Sequence, residues 1–429
     1  MSQKTFQNIT SSSVSHPSFR QNGTRQPRLP SELLGAILEP FAGKSGKRDL
    51  LNAALAFEAL RNESQRILFR SVVIPEGITE RRSLKNLIRQ CAFFSAIVNA
   101  PERLGPYVQT VASEYLTTAP VELNLHSKES ISAHGQDSYR QATMRLYNLT
   151  FLAFSHLIHL KHLTFTSLNM GHDWRKNTSI RLLRSCTFSL NSLSWHRPQD
   201  LPILASDFFP HQQSIQSFYM RGDFSNDVMI PSDVLPKLKL LYASSHLLLA
   251  LLPGRHVKSV TWAESTGEPD ALIESVSELL TGVEYLAISH NQTLQNVPVS
   301  RNLLSVKVLC LKTYDRANWV ENMSTLKDMK TLRKLILLTP TRIVQQGDYD
   351  IWVSSIKRIA KRAFEFCPRL TNAYIQDASD GDAYFQFMRR TSTTNELRIN
   401  RIEKTQMLEH FAPWIPHGLM DVVHMHAFL

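Results

Sequence analysis

The sequence has few cysteines, no long apolar run and no apolar segment at its start. Its four cysteines, Cys91, Cys186, Cys310 and Cys367, lie far apart and form no CxxC pair, which predicts reduced thiols in an intracellular protein. The leucine-rich run at 247–252 is far shorter than a bilayer requires, and the first residues do not resemble a secretory signal. We therefore expect a cytoplasmic or nuclear protein without a membrane partner.

Catalytic signatures are absent as well. No GxSxG, GxGxxG, HExxH or protein-kinase motif occurs. A GKS tripeptide at 43–45 resembles the end of a phosphate-binding loop, but that loop needs a glycine at the position of Leu38. The HxxHxxH pattern of His156, His159 and His162 has no acidic or thiol ligand nearby. The sequence predicts a non-enzymatic protein with no catalytic residue, metal or cofactor.

Positive charge is in excess but is not concentrated. The chain has 429 residues and a formal net charge of +11, which would suit nucleic acid or an acidic partner. The basic pairs at 81–82, 357–358 and 361–362 are scattered and are more typical of solvated helix faces than of a phosphate-binding stripe. This distribution argues against nucleic acid as the partner.

Residues 1–27 are rich in Ser, Thr, Gln, Asn and Pro, and their composition predicts a disordered basic tail. Three short helical patterns follow within residues 28–73, the first of them just after Pro30, a residue suited to the first turn of a helix. Their apolar positions are 33, 34, 37 and 38, then 50, 51, 54 and 55, then 67 to 69.

Beyond this region a unit of the form h-x-x-h-x-h, with h apolar, recurs along the chain. Its alternating apolar positions predict a short strand with one buried face, and helix-like stretches such as 271–280 and 351–367 lie between the copies. The recurrence predicts an irregular α/β leucine-rich-repeat solenoid over 74–395, followed by a C-terminal cap over 396–429. An ordinary parallel α/β sheet of the Rossmann type is the alternative. Copies begin at 160, 190, 215, 238, 257, 283, 306 and 332, with looser ones at 108 and 370.

The third and fifth positions of each unit are expected to point away from the core and to form a recognition face. This face carries hydroxyls, tyrosines and bases, which suit protein binding, although strand propensity alone would also enrich Tyr and Thr there. Its bases would suit an acidic or phosphorylated partner. The candidate substrate-binding residues, two of them just beyond the unit, are Tyr219, Arg221, Tyr242, Tyr285, Lys312, Lys334 and Tyr374.

The three helical patterns together resemble an F-box domain, whose pattern is roughly LPxELLxxIL, a loop, DLLxxxLV, a short third helix and LFRxV. Followed by irregular leucine-rich repeats, the chain resembles the F-box/leucine-rich-repeat proteins abundant in fungi. One unit alone, at Asn291, carries the asparagine of a strict leucine-rich repeat, so an irregular solenoid is expected. The matching F-box residues are Leu29, Pro30, Glu32, Leu33, Leu34, Ile37, Leu38, Asp49, Leu50, Leu51, Leu55, Leu68, Phe69 and Arg70.

This resemblance implies a substrate-recognition adaptor of an SCF-type E3 ubiquitin ligase. The F-box would dock on the Skp adaptor, which bridges to a cullin and a RING protein, and the repeats would hold an unidentified protein substrate. Such a receptor accelerates the reaction by proximity and needs no catalytic residue. The alternative is a leucine-rich-repeat scaffold outside ubiquitin ligases. The positions that the resemblance assigns to the adaptor, some of which also hold the helices together, are Leu29, Pro30, Leu33, Leu34, Ile37, Leu50 and Leu51.

Overall fold

The chain forms two compact units, Met1–Ile67 and Leu68–Leu429, so the first unit ends before the predicted F-box boundary at residue 73. The structure is a computed structural model. It describes residues 31–43, 46–56, 58–74, 80–113, 133–165, 183–184, 186–220, 222, 228–263, 268–288, 299–312, 323–338, 346–389 and 397–411. The predicted disordered tail lies outside the described residues.

Helices make up the described part of the first unit, as the sequence predicts. Helix α1 is Ser31–Leu38, helix α2 is Lys47–Ala56, and helix α3, Glu58–Arg70, begins in this unit. A 3-10 turn, Glu39–Ala42, extends α1. The periodic leucines explain the packing, because one side of each helix is buried; the buried apolar residues are Leu38, Leu50, Ala54 and Ile67.

In the described residues of the second unit, one open sheet of 13 strands organises the fold, and the chain visits these strands in strict sequential order. The fold is therefore mixed α/β. Strands β1 to β11 are parallel, whereas β12 and β13 are antiparallel. The strands are Ser71–Ile74, Thr110–Ser113, His162–Phe165, Ser192–Trp195, Ser217–Met220, Leu240–Ala243, Ser259–Trp262, Tyr285–Ile288, Val308–Lys312, Lys334–Leu338, Asn372–Gln376, Ala383–Arg389 and Leu397–Glu403.

Each of the ten predicted h-x-x-h-x-h units forms a strand, β2 to β11, which begins two residues after the first apolar position. Doubly wound sheets reverse their strand order at a switch point, and the described strands show no reversal. The Rossmann-type alternative is therefore wrong. Strand β1 was missed by the sequence analysis, as was the ribbon β12–β13, which crosses the predicted cap boundary at residue 396.

Helices in several of the connections between the parallel strands cover one face of the sheet. The apolar strand positions of the recurring h-x-x-h-x-h unit, such as Leu163, Trp195 and Trp262, pack with these helices in one continuous core. Burial of this kind, at about 25 cal/mol per Å² of apolar surface, is the main stabilising term of the fold. The helices in these connections are α4 Glu80–Asn99, α5 Pro101–Leu104, α6 Ala133–Phe154, α7 Leu201–Ile203, α8 Ser245–Leu251, α9 Asp270–Leu279 and α10 Gln346–Phe366, and one further helix, α11 Lys404–Glu409, follows β13.

Arg255 anchors the loop that leads into β6. Its guanidinium donates to the carbonyls of Val234 (2.9 and 2.8 Å), Leu251 (2.7 Å) and Ile230 (3.3 Å). Leu235 follows with φ of 55°, a left-handed conformation that costs a branched residue on the order of 1 kcal/mol or more. The guanidinium therefore holds a strained loop in place, and its burial lowers the Arg255 pKa.

Replacing Arg255 with lysine is expected to lower the free energy of unfolding by about 2 kcal/mol, because an ammonium cannot reproduce the planar fork of donors. Urea denaturation followed by circular dichroism would measure the change. Arg301→Lys, at an exposed position, is the matched control and should change stability by less than about 0.5 kcal/mol. Equal effects of the two substitutions would contradict the anchoring role.

Candidate interaction surfaces

Helix α1 presents an apolar pair to solvent. Leu33 and Ile37 are 50% and 54% exposed, while Leu38 is buried. Residues four apart lie on the same side of a helix, so Leu33 and Ile37 form one exposed ridge. An apolar ridge of this kind is expensive to leave in water unless a partner covers it.

Helix α2 repeats the arrangement. Leu51 and Leu55 are 52% and 78% exposed and also lie four residues apart, whereas Leu50 is 1% exposed and belongs to the core. The expected adaptor positions therefore divide between two roles. Ridge residues face solvent, Leu50 packs inside, and Leu34 is half-buried.

The remaining expected adaptor positions, Leu29 and Pro30, lie outside the described residues. Helix α1 lies close to α3 at Gly35, where a β-carbon would lie 2.7 Å from Glu63 Oε1. Arg66 donates from Nε to both Glu63 carboxylate oxygens at 2.9 and 3.0 Å. These bonds hold the Glu63 carboxylate in place beside α1.

The GKS tripeptide lies between helical segments. The 3-10 turn Glu39–Ala42 precedes it and α2 follows it. Phosphate-binding loops of this type leave a buried strand instead. Gly43 has an extended backbone conformation with φ of −67°, and residues 44–45 lie outside the described residues.

The face of the sheet opposite the helices, named here the second face, consists of the third and fifth positions of the units, as the sequence predicts. The strand register aligns these positions into two rows that run across the sheet. From β2 to β7 most of them carry hydroxyls. The two rows are Thr110, His162, Ser192, Ser217, Leu240, Ser259, Tyr285, Val308, Lys334 and Asn372, and Ala112, Thr164, Ser194, Tyr219, Tyr242, Thr261, Ala287, Cys310, Ile336 and Tyr374.

Tyr219 and Tyr242 lie side by side at the middle of the second face. Their rings stack with centroids 4.0 Å apart, and His196 stacks on Tyr219 at 4.9 Å. The His196 Nε2 atom lies 3.1 Å from the Ser194 hydroxyl oxygen. Two of the four tyrosines predicted to bind substrate thus belong to one aromatic ladder, although Tyr219 is only 6% and Tyr242 only 9% exposed.

A C-terminal cover lies on the second face over β8 to β11. It consists of α11 and the following Phe411, and its Met407, Leu408 and Phe411 form a second apolar core with residues of the face. Tyr285 and Tyr374, expected on an open recognition face, are 3% and 1% exposed. This expectation is therefore corrected, since both tyrosines lie in that second core.

Lys334 and Tyr374 are tied directly to the cover. The Lys334 ammonium donates to the His410 carbonyl at 2.6 Å and lies 4.9 Å from the centre of the Phe411 ring. The Tyr374 hydroxyl lies 2.7 Å from His410 Nδ1. Burial lowers the pKa of Lys334 and raises the pKa of Tyr374. Two of the predicted substrate-binding residues therefore hold the cover instead of facing solvent.

The other two predicted substrate-binding residues are Lys312 and Arg221. Lys312 ends β9 and is half-buried, and Arg221 lies outside the described residues. Cover residues such as Met407 were missed by the sequence analysis, because α11 contains no copy of the repeated unit. For the strand β12 that precedes the cover, the sequence did contain a signal: the alternation of AYFQFMR at 383–389 predicts a strand next to the last unit.

The histidine pattern at 156–162 is not a metal cluster in the structure. His156 and His159 are exposed outside the sheet, while His162 begins β3, and burial and Lys161 lower the pKa of His162. Within the described ranges, no three His, Cys, Asp or Glu side chains are grouped so that they could hold a metal ion. Among the helices that the structure describes, none combines the length and apolar character needed to cross a bilayer.

No protein-family model matches the sequence, and a search of curated proteins finds no significant match.

Proposed function

We propose that the chain is the substrate-recognition adaptor of an SCF-type E3 ubiquitin ligase. The observation that carries this proposal is the division of the leucines in α1 and α2. Leu33, Ile37 and Leu51 face solvent at positions that the F-box resemblance assigns to the Skp adaptor, while Leu38 and Leu50 form the local core. In helices that serve only as a cap, polar residues would be expected at these exposed positions, because exposed apolar ridges are unfavourable in water unless a partner covers them.

The second unit supports the receptor role. One strand per recurring unit, sequential order and parallel pairing are the arrangement expected of an irregular leucine-rich-repeat solenoid. In such a receptor the part of the second face from β2 to β7, which lies outside the described C-terminal cover, would contribute to substrate binding through the edges of Tyr219 and Tyr242 that remain exposed. The chemistry would take place on the associated ubiquitin-charged enzyme, so this chain would supply position and proximity.

The decisive experiment measures binding of the purified Skp adaptor to the full chain by a pull-down and by titration. Replacing both Leu33 and Ile37 with aspartate is expected to weaken binding by about a hundredfold or more, because each change places a charge in the apolar centre of the interface. Both residues are exposed, so the double variant should retain its fold, which circular dichroism would check.

The matched control replaces Leu304 and Ile351, which are 57% and 67% exposed in the second unit, with aspartate. It adds the same charge and should bind the adaptor as the parent does. A folded parent that does not bind the adaptor would overturn the proposal. That result would leave the alternative of a repeat scaffold outside ubiquitin ligases.

A further inference from the structure

A row of polar side chains lies at the edge of the sheet where the parallel strands begin. Each member is the residue just before a strand, and its amide donates to the carbonyl of the equivalent residue one strand earlier. The bonds run from Lys258 to Lys239 (2.9 Å), from Glu284 to Lys258 (2.9 Å), from Lys307 to Glu284 (2.8 Å) and from Arg333 to Lys307 (2.8 Å). This ladder fixes one side chain per strand along the edge.

Four of these five side chains are cationic. Lys239 and Arg333 are exposed, and the side chains of Lys258 and Lys307 are 64% and 42% exposed. Glu284 lies between the lysines, with carboxylate oxygens 3.9 Å from Lys258 Nζ and 2.9 Å from Lys307 Nζ. The row therefore consists of two cationic pairs, Lys239 with Lys258 and Lys307 with Arg333, separated by one carboxylate.

The spacing of the two cationic pairs matches that of an extended peptide. Neighbouring strands are about 4.8 Å apart, so the midpoints of the pairs, which are three strands apart, are separated by about 14 Å. An extended chain rises about 3.4 Å per residue, and residues i and i+4 lie on the same side about 14 Å apart. Two carboxylates four residues apart could therefore each lie between two cations.

We propose that this row binds an extended acidic peptide segment whose acidic side chains are four residues apart. Glu284 would repel a continuous phosphate backbone passing between the pairs, and the five side chains of the row include no aromatic ring on which a base could stack. A peptide with a neutral residue opposite Glu284 avoids that repulsion. This inference rests on the proposed function in one respect: if the chain is a ligase receptor, the acidic segment would belong to its substrate.

The test titrates the full chain into a fluorescein-labelled Gly/Ser/Thr peptide that carries two glutamates four residues apart. A second peptide of the same charge has the glutamates adjacent. Low ionic strength keeps exposed charge pairs unscreened. We expect the spaced peptide to bind more tightly, binding to weaken with added salt, and the double variant Lys239→Gln, Arg333→Gln to bind about tenfold more weakly.

The matched control is Lys357→Gln, Arg358→Gln, which removes one exposed lysine and one exposed arginine from α10 and should bind the peptide as the parent does. Equal weakening by the two double variants, or equal binding of the two peptides, would overturn the inference. So would tighter binding of a single-stranded oligonucleotide at the row, which would make the row a nucleic-acid surface.

Adaptor binding is measured on the same samples and separates the two proposals. A parent that binds the spaced peptide but not the Skp adaptor would overturn the ligase function and support the acidic-peptide surface. A parent that binds the Skp adaptor but neither peptide would support the ligase function and overturn the acidic-peptide surface. Both double variants lie outside the α1 and α2 ridges, so each should retain adaptor binding.

Discussion

Replacing Trp262 with alanine is expected to lower the free energy of unfolding by about 4 kcal/mol. Trp262 lies on β7 with no exposed surface, and the strand register places it beside Ala243 on β6 and Ile288 on β8. Its bulk fills the space that the small Ala243 leaves, so truncation would open a cavity that neighbours anchored in a regular sheet cannot close.

The Trp262 indole also makes a buried hydrogen bond, since Nε1 donates to the Ser245 hydroxyl at 2.7 Å. Trp262→Phe keeps most of the volume and loses this bond, and should cost about 1–2 kcal/mol. Urea denaturation followed by circular dichroism separates the two contributions. Ile351→Ala, at an exposed position, is the control, and a loss below about 1 kcal/mol for Trp262→Ala would contradict the packing described for β7.

The recurring unit was enough to predict most of the sheet. Its alternation predicted which side of each strand packs with the helices, as Leu163 and Trp195 do. The prediction that only one face of each strand is buried was wrong, since both sides of β4 to β8 are buried. The unit could not reveal the cover, because whether α11 lies on the second face depends on long-range packing that has no local signature. The same limit applies to Tyr285 and Tyr374, whose orientation was predicted and whose burial was not.

A similar limit applies to the adaptor positions. The leucine pair Leu50 and Leu51 shows the helical period but not which of the two residues faces the core, since that depends on where α3 lies. The basic row, in contrast, had a readable signal. The second position of successive units is Lys239, Lys258, Glu284 and Lys307, but only strand pairing in register shows that these residues are neighbours.

Cys310 is expected to react with iodoacetamide at pH 8 about a thousandfold more slowly than an ordinary thiol. It lies under the C-terminal cover with 1% exposure, and burial raises its pKa to about 12 from the ordinary 9.0. The thiolate is the reactive form, so a rise of three pH units in the pKa lowers its population by about a thousandfold at pH 8. Mass spectrometry of the alkylated peptides would identify the cysteine that reacts.

The variant Met407→Asp tests whether the cover causes this protection. Met407 has no exposed surface, and a carboxylate there cannot remain in an apolar core, so α11 should leave the second face. Cys310 should then react within about tenfold of an ordinary thiol, while Cys367, buried beneath the helices, should stay protected. Slow alkylation of Cys310 in this variant, or fast alkylation in the parent, would contradict the cover.

The same raised pKa makes stability depend on alkaline pH. An unfolded thiol releases its proton near pH 9, whereas folded Cys310 retains its proton up to about pH 12. Between these values the folded state binds more protons than the unfolded state, so stability falls as pH rises, by at most about 1.4 kcal/mol per pH unit for each such thiol. Cys310→Ala should make this decline less steep, and denaturation between pH 8 and pH 10.5 would measure the difference. An unchanged slope would mean that Cys310 is not held as a buried neutral thiol, and that the second face is open where the cover should lie.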